Sequence, residues 1–108
     1  MASYPWFPFY AEDFLGDTRI LKLTDVQQAV LVRLWCVSWI ERGLENDLDV
    51  LCRQARATPA DVNLLLRTFY EIDEATGRWL SERQEEKRAE AEARTTHAQT
   101  AARARWRP

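Results

Sequence analysis

Apolar residues crowd the stretch from Val26 to Ile40, where eleven of fifteen positions (Val26, Ala29, Val30, Leu31, Val32, Leu34, Trp35, Cys36, Val37, Trp39 and Ile40) leave almost no polar face. Such a pattern predicts a central helix covered on most sides. Thr24 and Gln27 have the spacing of a capping box, so the helix is expected to begin at about Asp25, and Gly43 offers a left-handed C-cap. Asn46 or Asp47 can cap a second, shorter helix with apolar Leu48, Leu51, Cys52 and Ala55, ending near Ala57. Thr58, Pro59 and Asp61 then supply the start signals of a third helix, with Val62, Leu65, Leu66 and Phe69 as its buried stripe.

A hairpin signal follows at once. Tyr70–Asp73 and Arg78–Glu82 flank the turn Glu74-Ala75-Thr76-Gly77, with Ile72 expected opposite Trp79 or Leu80. One helix, two short helices joined by a tight turn, then a hairpin is the order of a winged-helix-like helix-turn-helix domain. The fold class expected is therefore mainly α, with a short β-hairpin and a projecting C-terminal helix. From Ser81 onward Glu, Arg, Gln, Lys and Ala dominate, with no large apolar residue until Trp106. That helix has nothing to bury, draws support from i,i+4 pairs such as Arg88–Glu92 and Glu90–Arg94, and should project beyond the globule or pair with another chain. Two units result: a domain over 1–80 and a charged helical tail over 81–108.

Ahead of the helices, residues 4–17 combine six aromatic rings (Tyr4, Trp6, Phe7, Phe9, Tyr10, Phe14) with Pro5 and Pro8. Proline disfavours helix interiors and central strands, so this segment reads as an extended arm whose rings clamp the core. It lacks the basic start of a signal peptide, and no apolar run approaches the ~20 residues that span a bilayer, so a cytoplasmic protein without membrane contact is expected. The two cysteines, Cys36 and Cys52, sit among apolar residues and read as reduced, buried thiols.

Charge divides the chain. Residues 1–80 carry 8 basic and 12 acidic side chains, and residues 81–108 carry 7 and 5. An acidic globule argues against a free-standing nucleic-acid binder, because phosphate neutralisation supplies most non-specific affinity. Catalytic chemistry finds no foothold: His97 is the sole histidine, the three glycines are isolated, and a Cys36/Cys52/His97 metal site would need a fourth ligand. No cofactor, metal or enzymatic activity is expected.

The chemistry left is recognition. If the third helix enters a DNA groove, its outer face presents Asn63, which can read adenine, and Arg67, which can read guanine or grip phosphate. Arg53, Arg56 and Arg78 would flank it, while Asp61 would repel phosphate. In the tail, Arg103 and Arg105 beside Trp106 form a candidate partner anchor. The alternative reading of all these positions is an ordinary solvated surface, with protein partners or a homodimer in place of DNA.

The run Pro5-Trp6-Phe7-Pro8-Phe9-Tyr10-Ala11-Glu12-Asp13-Phe14-Leu15 resembles the opening of the phage and prophage proteins of the domain-of-unknown-function 1376 family, the YdaU-like group. The likeness continues through Leu23-Thr24, Leu34-Trp35-Cys36 to Trp39, Gly43-Leu44, Thr58-Pro59, Trp79-Leu80 and the Glu/Arg/Ala tail. It implies a phage or prophage origin and a link to the initiation of phage DNA replication, with phage or host replication proteins as partners. Longer members carry a second domain and none is expected here, so the role the resemblance implies is that of an adaptor.

Overall fold

The computed structural model describes Phe9 and residues 11–105, and within them the chain is mainly helical with one small antiparallel sheet. Its elements run α1 (Ala11–Gly16), α2 (Thr18–Leu21), α3 (Asp25–Glu41), α4 (Leu48–Ala55), α5 (Pro59–Phe69), β1 (Glu71–Ile72), β2 (Trp79–Leu80) and α6 (Glu82–Arg105). Of the aromatic arm, Tyr4, Trp6, Phe7 and Tyr10 lie outside the described residues, as does Trp106.

Local chemistry sets the helix ends. The Thr24 hydroxyl accepts from the Gln27 amide and the Gln27 side chain accepts from the Thr24 amide, completing the capping box that opens α3. Gln27 also donates to Asp61 at 3.1 Å, which ties the start of α3 to the first turn of α5. Asp47 caps α4 by accepting from Asp49 and Val50, and Thr58 caps α5 ahead of Pro59. The left-handed residue that ends α3 is Arg42, at φ 55°, one position before the expected Gly43, and Gly43 follows at φ 106°.

Val30, Leu31 and Leu34 of α3 pack with Leu51 and Ala55 of α4 and Val62, Leu65 and Leu66 of α5, and Ile20, Leu44 and Tyr70 complete the buried core. In the sheet Ile72 pairs with Trp79 and Glu71 with Leu80, so the strands are shorter than the pattern suggested. Leu44 bridges Trp79 through two backbone hydrogen bonds of 2.8 and 2.9 Å, fastening the segment between α3 and α4 to the hairpin.

Four expectations need correction. Ala11–Gly16 is helical where the extended arm over 4–17 was expected, because the prolines stop at Pro8, and Asp17 then caps a second short helix by accepting from the Arg19 amide. Helix α3 is not covered on most sides: Val26, Val32 and Ile40 stand 65%, 39% and 66% exposed along one edge. Cys36 lies on that edge and is exposed, while Cys52 is half-buried. Finally, the first turns of α6 do bury a face, formed by Ser81, Gln84, Arg88 and Ala91. The ion pairs that support these turns are Arg88–Glu85 and Lys87–Glu90 at i,i+3.

Candidate functional site

The residues singled out for recognition fall into three groups. Asn63 and Arg67, one turn apart on α5, are both exposed, as are Arg53 on α4 and Arg56 at its left-handed C-cap. Arg78 is half-buried and committed within the fold, donating to the Gly43 carbonyl at 2.9 Å and lying 3.9 Å from Glu41. It therefore braces the hairpin against the end of α3. Arg103 and Arg105 are exposed near the end of α6, and Trp106 lies outside the described residues.

Arg67 also reaches a groove of about 530 Å³ between the C-terminal end of α5 and the start of α6. The rings of Trp35 and Phe69 line its apolar part, four cations (Arg19, Arg67, Arg83, Lys87) and four acids (Asp17, Glu71, Glu82, Glu86) its polar part. Arg53, Arg56 and Asn63 do not line it. Mixed charge around an aromatic patch suits a peptide segment better than a polyanion.

Aromatic contacts run from the groove toward the N-terminal segment, since Trp35 and Phe69 line it and Phe14 and Phe9 do not. Phe9 packs on Phe14 at 5.4 Å between ring centres, Phe14 meets Trp35 edge-on at 6.2 Å, and Trp35 meets Phe69 edge-on at 6.5 Å. Arg19 lies 4.7 Å over the Phe69 ring, donates to the Thr68 carbonyl and pairs with Asp17 at 2.9 Å. Arg83 forms an ion pair with Asp13, joining α6 to α1.

The Arg19 hydrogen bond holds the Asp17 carboxyl below the usual carboxylate range, against the opposing effect of its burial. Because the folded value lies below the unfolded one, the stability this pair contributes is present above the unfolded value of about 4 and is lost as pH falls through the folded value. Urea midpoints measured between pH 6 and 2 are expected to fall more steeply in the wild type than in Asp17→Ala. Parallel profiles would show that the pair contributes nothing.

A second polar cluster went unread in the sequence. Gln84 donates to the Trp35 carbonyl at 2.9 Å, which orients its amide so that its oxygen accepts from the Ser38 hydroxyl. Ser38 has one proton, so the Tyr70 hydroxyl, 2.9 Å away, donates to Ser38. Burial pushes the Tyr70 phenol far up, keeping it a neutral donor. Next to this chain the Arg88 guanidinium donates to the Trp39 carbonyl at 2.9 Å and lies 4.4 Å over the Trp39 ring. Its own pKa is lowered by burial. The sequence signal was the 3-4-3 spacing of Ser81, Gln84, Arg88 and Ala91, which hydrophobicity alone does not flag.

These contacts define a small, mainly helical scaffold. Among the described residues no group of three or more His, Cys, Asp or Glu side chains could hold a metal ion, and no helix is long and apolar enough to cross a membrane. The chain belongs to a family described as protein of unknown function, DUF1376, whose model matches residues 5–89. No curated protein and no solved structure matches it. The match ends just after Arg88, so the outer part of α6 lies beyond the matched residues.

Proposed function

We propose that this chain is a winged-helix-like, non-enzymatic adaptor that binds DNA through the outer face of α4 and α5 in the initiation of phage DNA replication. The observation that carries the reading is the joint exposure of Asn63 and Arg67 on α5, the second helix of a pair joined by the short turn at Arg56–Thr58. The Leu44–Trp79 bridge, which ties the hairpin to the segment before that pair, supports the winged-helix assignment. Arg53 and Arg56 would contact phosphate, and Asn63 and Arg67 base edges. Arg78 supports the wing in place of touching DNA. The phage and replication context rests on the family resemblance, and the cytoplasm is where such an adaptor would act.

Fluorescence anisotropy of labelled single- and double-stranded DNA, at low and physiological salt, tests the reading. Asn63→Ala/Arg67→Ala is expected to weaken specific binding by about 30-fold or more, from roughly 1–3 kcal/mol for each of the two base contacts. Arg53→Ala/Arg56→Ala should weaken binding to all sequences and flatten the salt dependence. Absence of binding at low salt would overturn the reading.

Two observations favour a second reading, a protein-interaction module without direct DNA contact that binds a phage or host replication protein or a second copy. The 1–80 region is acidic, and α3 exposes Val26, Val32 and Ile40 along one edge. DNA titrations decide between the two.

A further inference from the structure

Helix α6 is two helices in one by its surroundings. Gln84 bonds the Trp35 carbonyl and Arg88, one turn on, the Trp39 carbonyl, so the two helices run in the same direction, and Arg42 at the end of α3 lies between Glu85 and Glu92, 3.8 Å from each. Helix α3 ends at Glu41, and α6 continues for another three turns and more, about 20 Å at roughly 1.5 Å per residue. Every residue from Glu92 to Arg105 is exposed. This overhang accounts for the elongated 61 × 31 × 21 Å outline of the described residues.

Charge is polarised along the same helix. All five of its acids (Glu82, Glu85, Glu86, Glu90, Glu92) precede residue 93, and from there to Pro108 the sequence holds Arg94, Arg103, Arg105 and Arg107 and no acid. The buried face of Ser81, Gln84, Arg88 and Ala91 continues along the overhang into Ala98 and Ala102, small enough for another helix to approach closely. Relative to that face, helical periodicity puts Glu92 and Arg103 on one flank and Glu90 and Arg105 on the other.

We propose that the overhangs of two copies of this chain pair antiparallel, the arginine end of each against the glutamate base of the other. Like flanks face each other in an antiparallel helix pair, so one register, centred between His97 and Ala98, sets Arg103 against Glu92 and Arg105 against Glu90 of the second copy. A parallel pair would align arginines with arginines and glutamates with glutamates. The pairing is independent of whether α5 binds DNA, and it would join two α5 faces in one particle. The apolar area is modest and the ion pairs are exposed, so the dimer is weak and salt-sensitive.

Sedimentation of the full chain over a wide dilution series, at low and high salt, tests the proposal. The expected result is a reversible monomer–dimer equilibrium weakened by salt. Arg103→Glu/Arg105→Glu and Glu90→Arg/Glu92→Arg should each raise the dimer dissociation constant about tenfold or more, and mixing the two variants should restore association. Orientation is read by oxidation in a Cys36→Ser/Cys52→Ala background. Ala98→Cys is expected to cross-link to its own mate, whereas Arg105→Cys is not, because two copies of position 105 lie about 20 Å apart along the antiparallel pair. A monomer under all conditions, a dimer indifferent to charge reversal, or equal cross-linking at 98 and 105 would each overturn it. So would a monomer that binds DNA through Arg103 and Arg105.

Discussion

Gly43→Ala is expected to destabilise the fold by about 2–6 kcal/mol, combining the strain of a left-handed backbone with overpacking of the hairpin. Gly43 sits at φ 106°, where a Cβ is strongly disfavoured. The added carbon would lie 2.6 Å from Leu80 Cδ2 and 3.0 Å from the Trp79 carbonyl oxygen. Leu80 can swing its methyl away, but the Trp79 carbonyl accepts from the Leu44 amide and cannot retreat without breaking the bridge. The Gly43 carbonyl also accepts from Arg78, so a shift here loosens the brace at the foot of the hairpin. Urea unfolding measures the total loss, and hydrogen exchange at the Leu44 and Trp79 amides localises it. A loss below about 1 kcal/mol would show that the hairpin is not clamped against Gly43.

What the sequence made legible follows from which interactions leave a periodic trace. Capping groups do, so Thr24 with Gln27, Asp47, and Thr58 with Pro59 placed three helix starts within a residue. The hairpin was legible to within a residue: a short turn limits the register to Ile72 opposite Trp79 or Leu80, and the pair formed is Ile72 with Trp79. Partial coverage was not. The apolar run of α3 reads as covered on most sides, yet its neighbours pack on the Leu31–Leu34 side and leave Val26, Cys36 and Ile40 in solvent. Apolar pattern reports what a surface prefers, not whether a partner within the chain covers it. Nor does the pattern show how Arg78 is held: a hairpin arginine looks available to phosphate, and only the path of the chain at Gly43 shows a carbonyl that accepts from it. Of the candidate contacts, Arg53, Arg56, Asn63 and Arg67 are on the surface, and the polar stripe of α6 carries no hydrophobic signal at all.

Arg88→Ala is expected to cost about 2–4 kcal/mol and to release the inner turns of α6 from α3. Arg88 is 5% exposed, and its guanidinium donates to the Trp39 carbonyl in the last turns of α3, where a helix leaves acceptors unmet and its dipole favours a cation. A charge-assisted hydrogen bond is worth about 1.5–3 kcal/mol, and the stack on Trp39 up to about 2. Burying the cation opposes both, as its lowered pKa indicates. Arg88→Lys keeps the charge but not the planar fork that bonds a carbonyl while stacking on an indole, so it should recover only part of the loss. Release has a spatial signature: amides near Gln84 and Ala91 should exchange faster, while those of Leu51 and Leu65 in the core follow only the global loss. With α6 undocked, the overhang loses its fixed direction from the globule. If hydrogen exchange in Arg88→Ala rises uniformly through core and helix alike, α6 is not an independently docked element but part of one cooperative unit with the core.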